Sequence, residues 1–233
     1  KLSFQPHGLK PIAKALEQAL TNYRRNSFTL KLPNGQFGLG AKTRIKGILN
    51  RTPDSFSDGG LFMDEDDAYA RACRLIEDGA DILDIGGEST RPGAKPVSLK
   101  DERARIIPFL KKIRRVVKKP ISIDTMKSQI ADEALSEGAD IINDVSALNF
   151  DSKMARVAAR HKAGLVLMHC KAMQKNPKYR SLFSELISYL ASSIDKALAA
   201  GVKEDNIIVD PGMGFGKTIE HNLEILNNLS ELK

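Results

Sequence analysis

Two hydrophobic patterns divide the chain. Over residues 9–25, Leu9, Ile12, Ala13, Leu16, Ala19 and Leu20 recur at helical spacing, which predicts a short amphipathic helix. Phe28, Leu30 and Leu32 then alternate with polar residues, Pro33-Asn34-Gly35 marks a turn, and Phe37 and Leu39 resume the alternation. That pattern predicts a β-hairpin. From residue 44 short β-rich runs alternate with helical stretches; the runs cover 44–50, 81–87, 120–125, 140–145, 164–169 and 206–210. The helical period is clearest over 102–118, where Ile106, Phe109, Leu110, Ile113, Val116 and Val117 share a face. A second helix over 181–200 is carried by Phe183, Leu186, Ile187, Leu190, Ile194 and Leu198. The phrase Gly-Ala-Asp introduces two of the strands, at 79–81 and 138–140, and a looser Lys162-Ala163-Gly164 introduces a third. Glycine there suits the left-handed cap that closes a helix before the chain turns into a strand.

Six strand-then-helix units in a row predict a parallel sheet with helices outside it. The residues at the strand ends choose between an open sheet and a barrel. Asn50 ends the first strand, Asp84 and Glu88 lie at the second, Asp124 ends the third, Asn143-Asp144 the fourth, His169 the fifth and Asp210 the sixth. An open sheet gathers ligand contacts near one switch point, whereas a barrel aims every strand end at one mouth. The pattern therefore predicts a TIM-type (β/α)8 barrel. Such a barrel has eight strands in about 250 residues. The expectation from the runs is about six β/α units over 43–233, incomplete at the C-terminus, with 1–42 forming a preceding helix and hairpin.

Composition narrows the class. Hydrophobic residues are 42% and charged residues 28%, as in an ordinary soluble enzyme. No apolar run approaches the roughly 20 residues of a membrane span, and the first residues lack the apolar segment of a secretory signal. Cys73 and Cys170 are the only cysteines, which fits a reducing, cytoplasmic setting. The formal charge is +7, but the basic residues are scattered, Trp is absent and aromatics are 6%, so the stacking platform of a nucleic-acid binder is missing. A small anionic substrate suits that charge equally well.

Three loops carry candidate chemistry. Residues 50–60, ending Asp58-Gly59-Gly60, form a long polar stretch containing Phe56, suited to a lid over a barrel mouth. Gly86-Gly87-Glu88-Ser89-Thr90-Arg91-Pro92-Gly93 combines glycines that let backbone approach a ligand with a forked cation for phosphate or carboxylate. Asp210 to Thr218 is Gly-rich and feeds a helix, but Pro211 occupies the position where a Walker A loop needs its first glycine. A polar or anionic ligand remains suited to that helix start, while nucleotide hydrolysis does not. Asp124, Asn143 and Asp210 sit at strand ends, where two acids and an amide would read the donor edge of a heterocycle. His169 reads as a satisfied wall residue, the cysteines as small apolar fillers, and no His/Cys spacing suits zinc.

Taken together, N-x-T-P-D-S-F-S-D-G-G, D-I-G-G-E-S-T-R-P-G, the I-D-T and I-N-D strand ends, M-H and D-P-G-x-G-F-G-K resemble dihydropteroate synthase, in order from about Arg44 to Leu229. The resemblance implies condensation of p-aminobenzoate with 6-hydroxymethyl-7,8-dihydropterin diphosphate, releasing diphosphate. It implies that Asp124, Asn143 and Asp210 hold the pterin with Met168 lining its slot. It further implies that Asn50 helps bind Mg²⁺ and Arg91 contacts the diphosphate. Thr90, Pro92, Gly214 and Phe215 would border the aminobenzoate, and Phe56 and Asp58 would close over it, which with Arg91 makes a catalytic set. Partners would be these small molecules, with no nucleic acid or membrane, and a homodimer by family analogy. Two departures stand out. Arg51 replaces an apolar residue of the motif, and the family's S-R-K and R-x-H segments have no counterpart, so the expectation is a family member truncated before its last two β/α units. A non-catalytic pterin-binding paralogue or fragment, and a pterin-dependent methyltransferase, are the alternatives.

Overall fold

The computed structural model describes residues 8–52, 65–89, 94–171 and 179–232. Helix α1 (Lys10–Arg24) carries proline in its first turn, where the ring suits an unpaired N–H position. Of its apolar positions only Ala13 is buried; Ile12, Leu16 and Leu20 stand about half exposed. Strands β1 (Phe28–Leu32) and β2 (Gly35–Leu39) then pair as an antiparallel hairpin. Leu30, Leu32 and Phe37 form a small core with Ile82, Ile141 and Val166, so the hairpin closes the N-terminal end of the main sheet. The fit is tight, since a Cβ on Gly164 would lie 3.1 Å from Leu32 Cδ2.

The main sheet is parallel and runs in sequence order: β3 (Lys46–Asn50), β4 (Ile82–Gly86), β5 (Ile121–Asp124), β6 (Ile141–Asp144), β7 (Gly164–Met168) and β8 (Ile207–Asp210). Helices α2 (Glu65–Glu77), α3 (Leu99–Ile113), α4 (Ser128–Ser136), α5 (Met154–His161), α6 (Leu182–Ala199) and α7 (Ile219–Asn227) come after the successive strands. Strands β4 and β7 are buried along their whole length, as expected for strands covered on both faces. The larger core lies between sheet and helices, with Leu83, Ile85, Ile106, Phe109, Leu110 and Ile113 at its centre. Helix α3 begins at Leu99 rather than 102 because the Ser98 side chain accepts the Asp101 N–H and caps it. It stops at Ile113, leaving Val116 half exposed outside the helix. Gly79 and Gly138 take the left-handed conformation expected of helix caps. After α5 that cap is Lys162 instead, and Gly164 is the first residue of β7.

The expected count of about six units, with a chain cut before the last two, is corrected by this architecture. The described residues form eight strands and seven α-helices. The hairpin expected from residues 28–39 supplies two of these strands, β1 and β2, a separate two-stranded sheet that packs onto the barrel-like one and seals its floor. No helix among the described residues is long and apolar enough to cross a membrane.

Candidate functional site

The strand ends converge as the barrel argument requires. Parallel register sets Asn50 beside Gly86, Gly86 beside Asp124 and Asp124 beside Asn143, while Met168 pairs with Asp210. All of these except Gly86 line one cavity of about 260 Å³, which Val145 and Phe215 also border. Glycine at 86 suits the crowding here: a Cβ would stand 3.0 Å from Asn50 Oδ1 and 3.5 Å from Asp124 Cβ. Thus Asn50, Asp124, Asn143, Met168, Asp210 and Phe215 are brought together. Gly214 sits in the same loop as Phe215 but is not on the cavity wall; its N–H donates to Asn222 Oδ1 at 3.0 Å. Phe56, Asp58, Thr90, Arg91 and Pro92 lie outside the described residues.

Polar groups in this cavity are incompletely satisfied. Asp84, from the middle of β4, accepts Lys46 Nζ at 3.1 Å and Asn143 Nδ2 at 3.2 Å on one oxygen. Its other oxygen and Asn143 Oδ1 are buried without a partner among the described residues. Such unmet acceptors are uncommon inside proteins and mark places where a ligand can supply donors. Asp124 is held well above the ordinary carboxylate range, by burial first and then by the nearby charge of Asp84. Asp210 accepts the Gly212 N–H at 2.7 Å, which fixes the turn leading to Phe215.

Neighbouring charges support the mouth, and of these Glu88 also lines the cavity. Lys127 Nζ binds both Glu88 and the fully buried Glu102, which also accepts the Thr125 hydroxyl. This cluster ties the end of β4, helix α3 and the end of β5 together directly behind Asp124. Asp144 is buried and pushed up by that burial, but its oxygens accept Ser146 N, Ser146 Oγ and Leu148 N. It closes a turn and leaves recognition to Asn143. His169 is buried against Tyr189, their ring centroids 4.8 Å apart, and burial with the charge of Lys217 lowers its pKa to about 4. The expectation of a satisfied wall residue is corrected in part: Nδ1 meets Lys217 Nζ at 3.0 Å, but Nε2 is buried without a partner among the described residues. Lys217 Nζ contacts the carbonyls of Gly212, His169 and Phe215, so it braces the Gly-rich loop from within. Arg51 likewise turns away from the cavity, donating to the Arg105 carbonyl at 2.5 Å and lying over the Phe109 ring.

Mg²⁺ is corrected. Among the described residues no group of three His, Cys, Asp or Glu side chains is arranged to hold a metal ion. Asn50 brings one neutral amide, and one oxygen of Asp84 is already paired with Lys46. Sequence reasoning also missed Lys46 and Ile48 as cavity residues. The signal was available, because residues 46, 48 and 50 share one face of a strand by its two-residue period.

A barrel whose strand ends present acids, an amide and apolar walls to one cavity defines a class of heterocycle-binding enzymes, and residues 46–233 match the family of pterin binding enzymes. A dihydropteroate synthase of Clostridium beijerinckii is 46% identical over 204 residues, covering 88% of this chain and 75% of that protein. Two solved structures agree. Xanthomonas albilineans dihydropteroate synthase with 4-aminobenzoic acid superposes with a TM-score of 0.80 at 38% identity, over 87% of this chain and 73% of that one. Burkholderia cenocepacia dihydropteroate synthase complexed with 7,8-dihydropteroate gives 0.76 at 37% identity, over 88% and 70%. The chain belongs to the dihydropteroate synthase family, transferases of folate biosynthesis.

Proposed function

We propose that this cavity carries out the family's condensation of p-aminobenzoate with 6-hydroxymethyl-7,8-dihydropterin diphosphate. The bond formed joins the aminobenzoate nitrogen to the exocyclic methylene carbon of the pterin. The carbon–oxygen bond to diphosphate breaks, the nitrogen loses a proton, and dihydropteroate and diphosphate leave. The observation that carries the reading is the set Asp124, Asn143 and Asp210 on one cavity wall, where Asn143 Oδ1 and the neighbouring Asp84 Oδ1 are buried acceptors without a partner among the described residues. A pterin ring presents an amino group and ring N–H groups, the donors such a wall lacks. Met168, Val145 and Phe215 supply apolar surface for the faces of the ring.

No activated nucleophile is needed, because departure of diphosphate leaves a cation that the pterin ring delocalises. The protein then contributes orientation, charge stabilisation and exclusion of water. Asp124, pushed towards its neutral acid by burial and Asp84, is suited both to donate to and to accept from the ring edge. From the motifs we assign Arg91 to the diphosphate, and Thr90, Pro92, Gly214 and Phe215 to the aminobenzoate. Phe56 and Asp58 are assigned to closure over it, and Asn50 to the polar corner beside the leaving group. Two free cysteines suit a cytoplasmic setting. The test is product formation by the purified protein from the two substrates, followed as dihydropteroate and released diphosphate. Turnover that needs both substrates is expected; a protein that neither turns over nor binds a pterin would overturn the reading.

A further inference from the structure

We propose that Lys46 is a positioning residue for pterin recognition: through Asp84 it fixes the Asn143 amide so that the cavity meets an acceptor and not a donor. The inference rests on the pterin-binding reading of the cavity. Lys46 lies on the inward face of β3, and its strand neighbour is Ile82, while Asp84 pairs with Ile48. The lysine therefore reaches up one layer of the barrel to place its ammonium 3.1 Å from Asp84 Oδ2. That same oxygen takes the Asn143 Nδ2 hydrogen at 3.2 Å.

An ionised carboxylate only accepts, so it can face only the NH₂ side of an amide. The amide carbonyl, Asn143 Oδ1, is thereby turned to the remaining side, where it is buried without a partner among the described residues. Flipping the amide would set Oδ1 against Asp84 Oδ2, two acceptors in contact, and would present a donor to the ligand. The bias depends on charge. Asp84 is 3% exposed, and the Lys46 ammonium is its ion-pair partner at 3.1 Å. Without that ammonium the carboxylate is no longer anchored, so the amide it faces is held less firmly and the acceptor offered to the ligand is diluted. Lys46 itself contacts the cavity, but its selective effect passes through Asp84 to Asn143.

A double-mutant cycle tests this. Binding of 6-hydroxymethylpterin, which lacks diphosphate, is titrated by fluorescence against wild type, Lys46→Met, Lys46→Arg, Asn143→Ala and the double variant Lys46→Met/Asn143→Ala. Melting temperatures are recorded alongside KM for each substrate. Lys46→Met is expected to weaken the pterin about tenfold, the scale of one hydrogen bond tied to a charged group. KM for the pterin diphosphate should rise with it, KM for aminobenzoate should not, and Lys46→Arg should restore most of the loss. In the Asn143→Ala background Lys46→Met should change nothing further, because coupled residues are non-additive. If Lys46→Met does not fold, Lys46→Gln, uncharged and of similar reach, carries the same comparison. Pterin affinity equal to wild type, or a loss that adds in full to that of Asn143→Ala, overturns the inference alone. A wild type that binds no pterin overturns it together with the functional reading beneath it.

Discussion

The two ends of the main sheet use the same residue types to opposite effect. At the floor, Asp81 accepts the Ile45 N–H at 3.1 Å and is paired with Arg44 and Lys42. Asp140 accepts from the Ile121 N–H, Arg114 and Asn34. Both acids come from the Gly-Ala-Asp phrase, and both bind the hairpin or its approach to the sheet. Their buried charge is matched on every side. At the mouth, Asp84 and Asn143 keep unmet acceptors and Asp124 is held away from its charged form. Barrel folds separate stability from chemistry in this way, with conditions at the strand N-termini set by packing and those at the C-termini set by the ligand. The difference shows that burial of an acid means little by itself; the partners around it decide whether it is a rivet or a receptor.

Breaking a floor acid is expected to give the largest effect. Asp140→Ala removes the Arg114 ion pair and leaves the buried Ile121 N–H unmet, which costs about 3 kcal/mol of stability. Urea denaturation measures this, and pterin KM in the surviving folded protein should be unchanged. A KM shift without loss of stability would collapse the division between the ends. At the mouth, Asp210→Ala should lower kcat/KM for the pterin diphosphate about 100-fold, the equivalent of one charge-assisted hydrogen bond and its geometry. Its melting temperature should fall less than that of Asp140→Ala, since the side-chain bond lost is the one from the Gly212 N–H.

Acid titration sharpens the contrast with opposite signs. Asp81 has its pKa lowered from 3.8 to about 2, chiefly by the Ile45 N–H. Its stabilisation is present above about pH 4 and is lost as pH falls towards 2. Asp124 is raised, so the native state keeps its proton longer than the unfolded chain does. Stability attributable to it therefore declines as pH rises from about 4 towards its shifted value. Denaturation midpoints between pH 2 and 7 should show Asp81→Asn flattening the acid limb and Asp124→Asn removing the decline above it. The smallest effect belongs to Gly86→Ala, where a methyl meets Asn50 Oδ1 at 3.0 Å. About 1 kcal/mol of stability should be lost as the Asn50 side chain gives way, with pterin affinity reduced less than by Asp210→Ala.

The alternation of apolar residues and the polar residue ending each run were enough to place six parallel strands and their mouth. The motifs around residues 50–60, 81–93 and 210–217 were enough to indicate the family. Those signals are local, carried by periods of two and 3.6 and by side chains adjacent along the chain. The part each polar group plays at the mouth was not local. Asn143 and Asp144 are neighbours in sequence, yet one faces the cavity and the other locks a turn, because a strand sends successive side chains to opposite faces. The apolar stripe of α1 forecast a helix correctly but not a buried one, since burial depends on what packs against it. The barrel's polar ring was thus written in the sequence by itself. Tertiary structure alone decided that Lys46 reaches Asp84, that the hairpin seals the floor, and that mouth acceptors remain unmet, because these depend on distances between residues far apart in the chain.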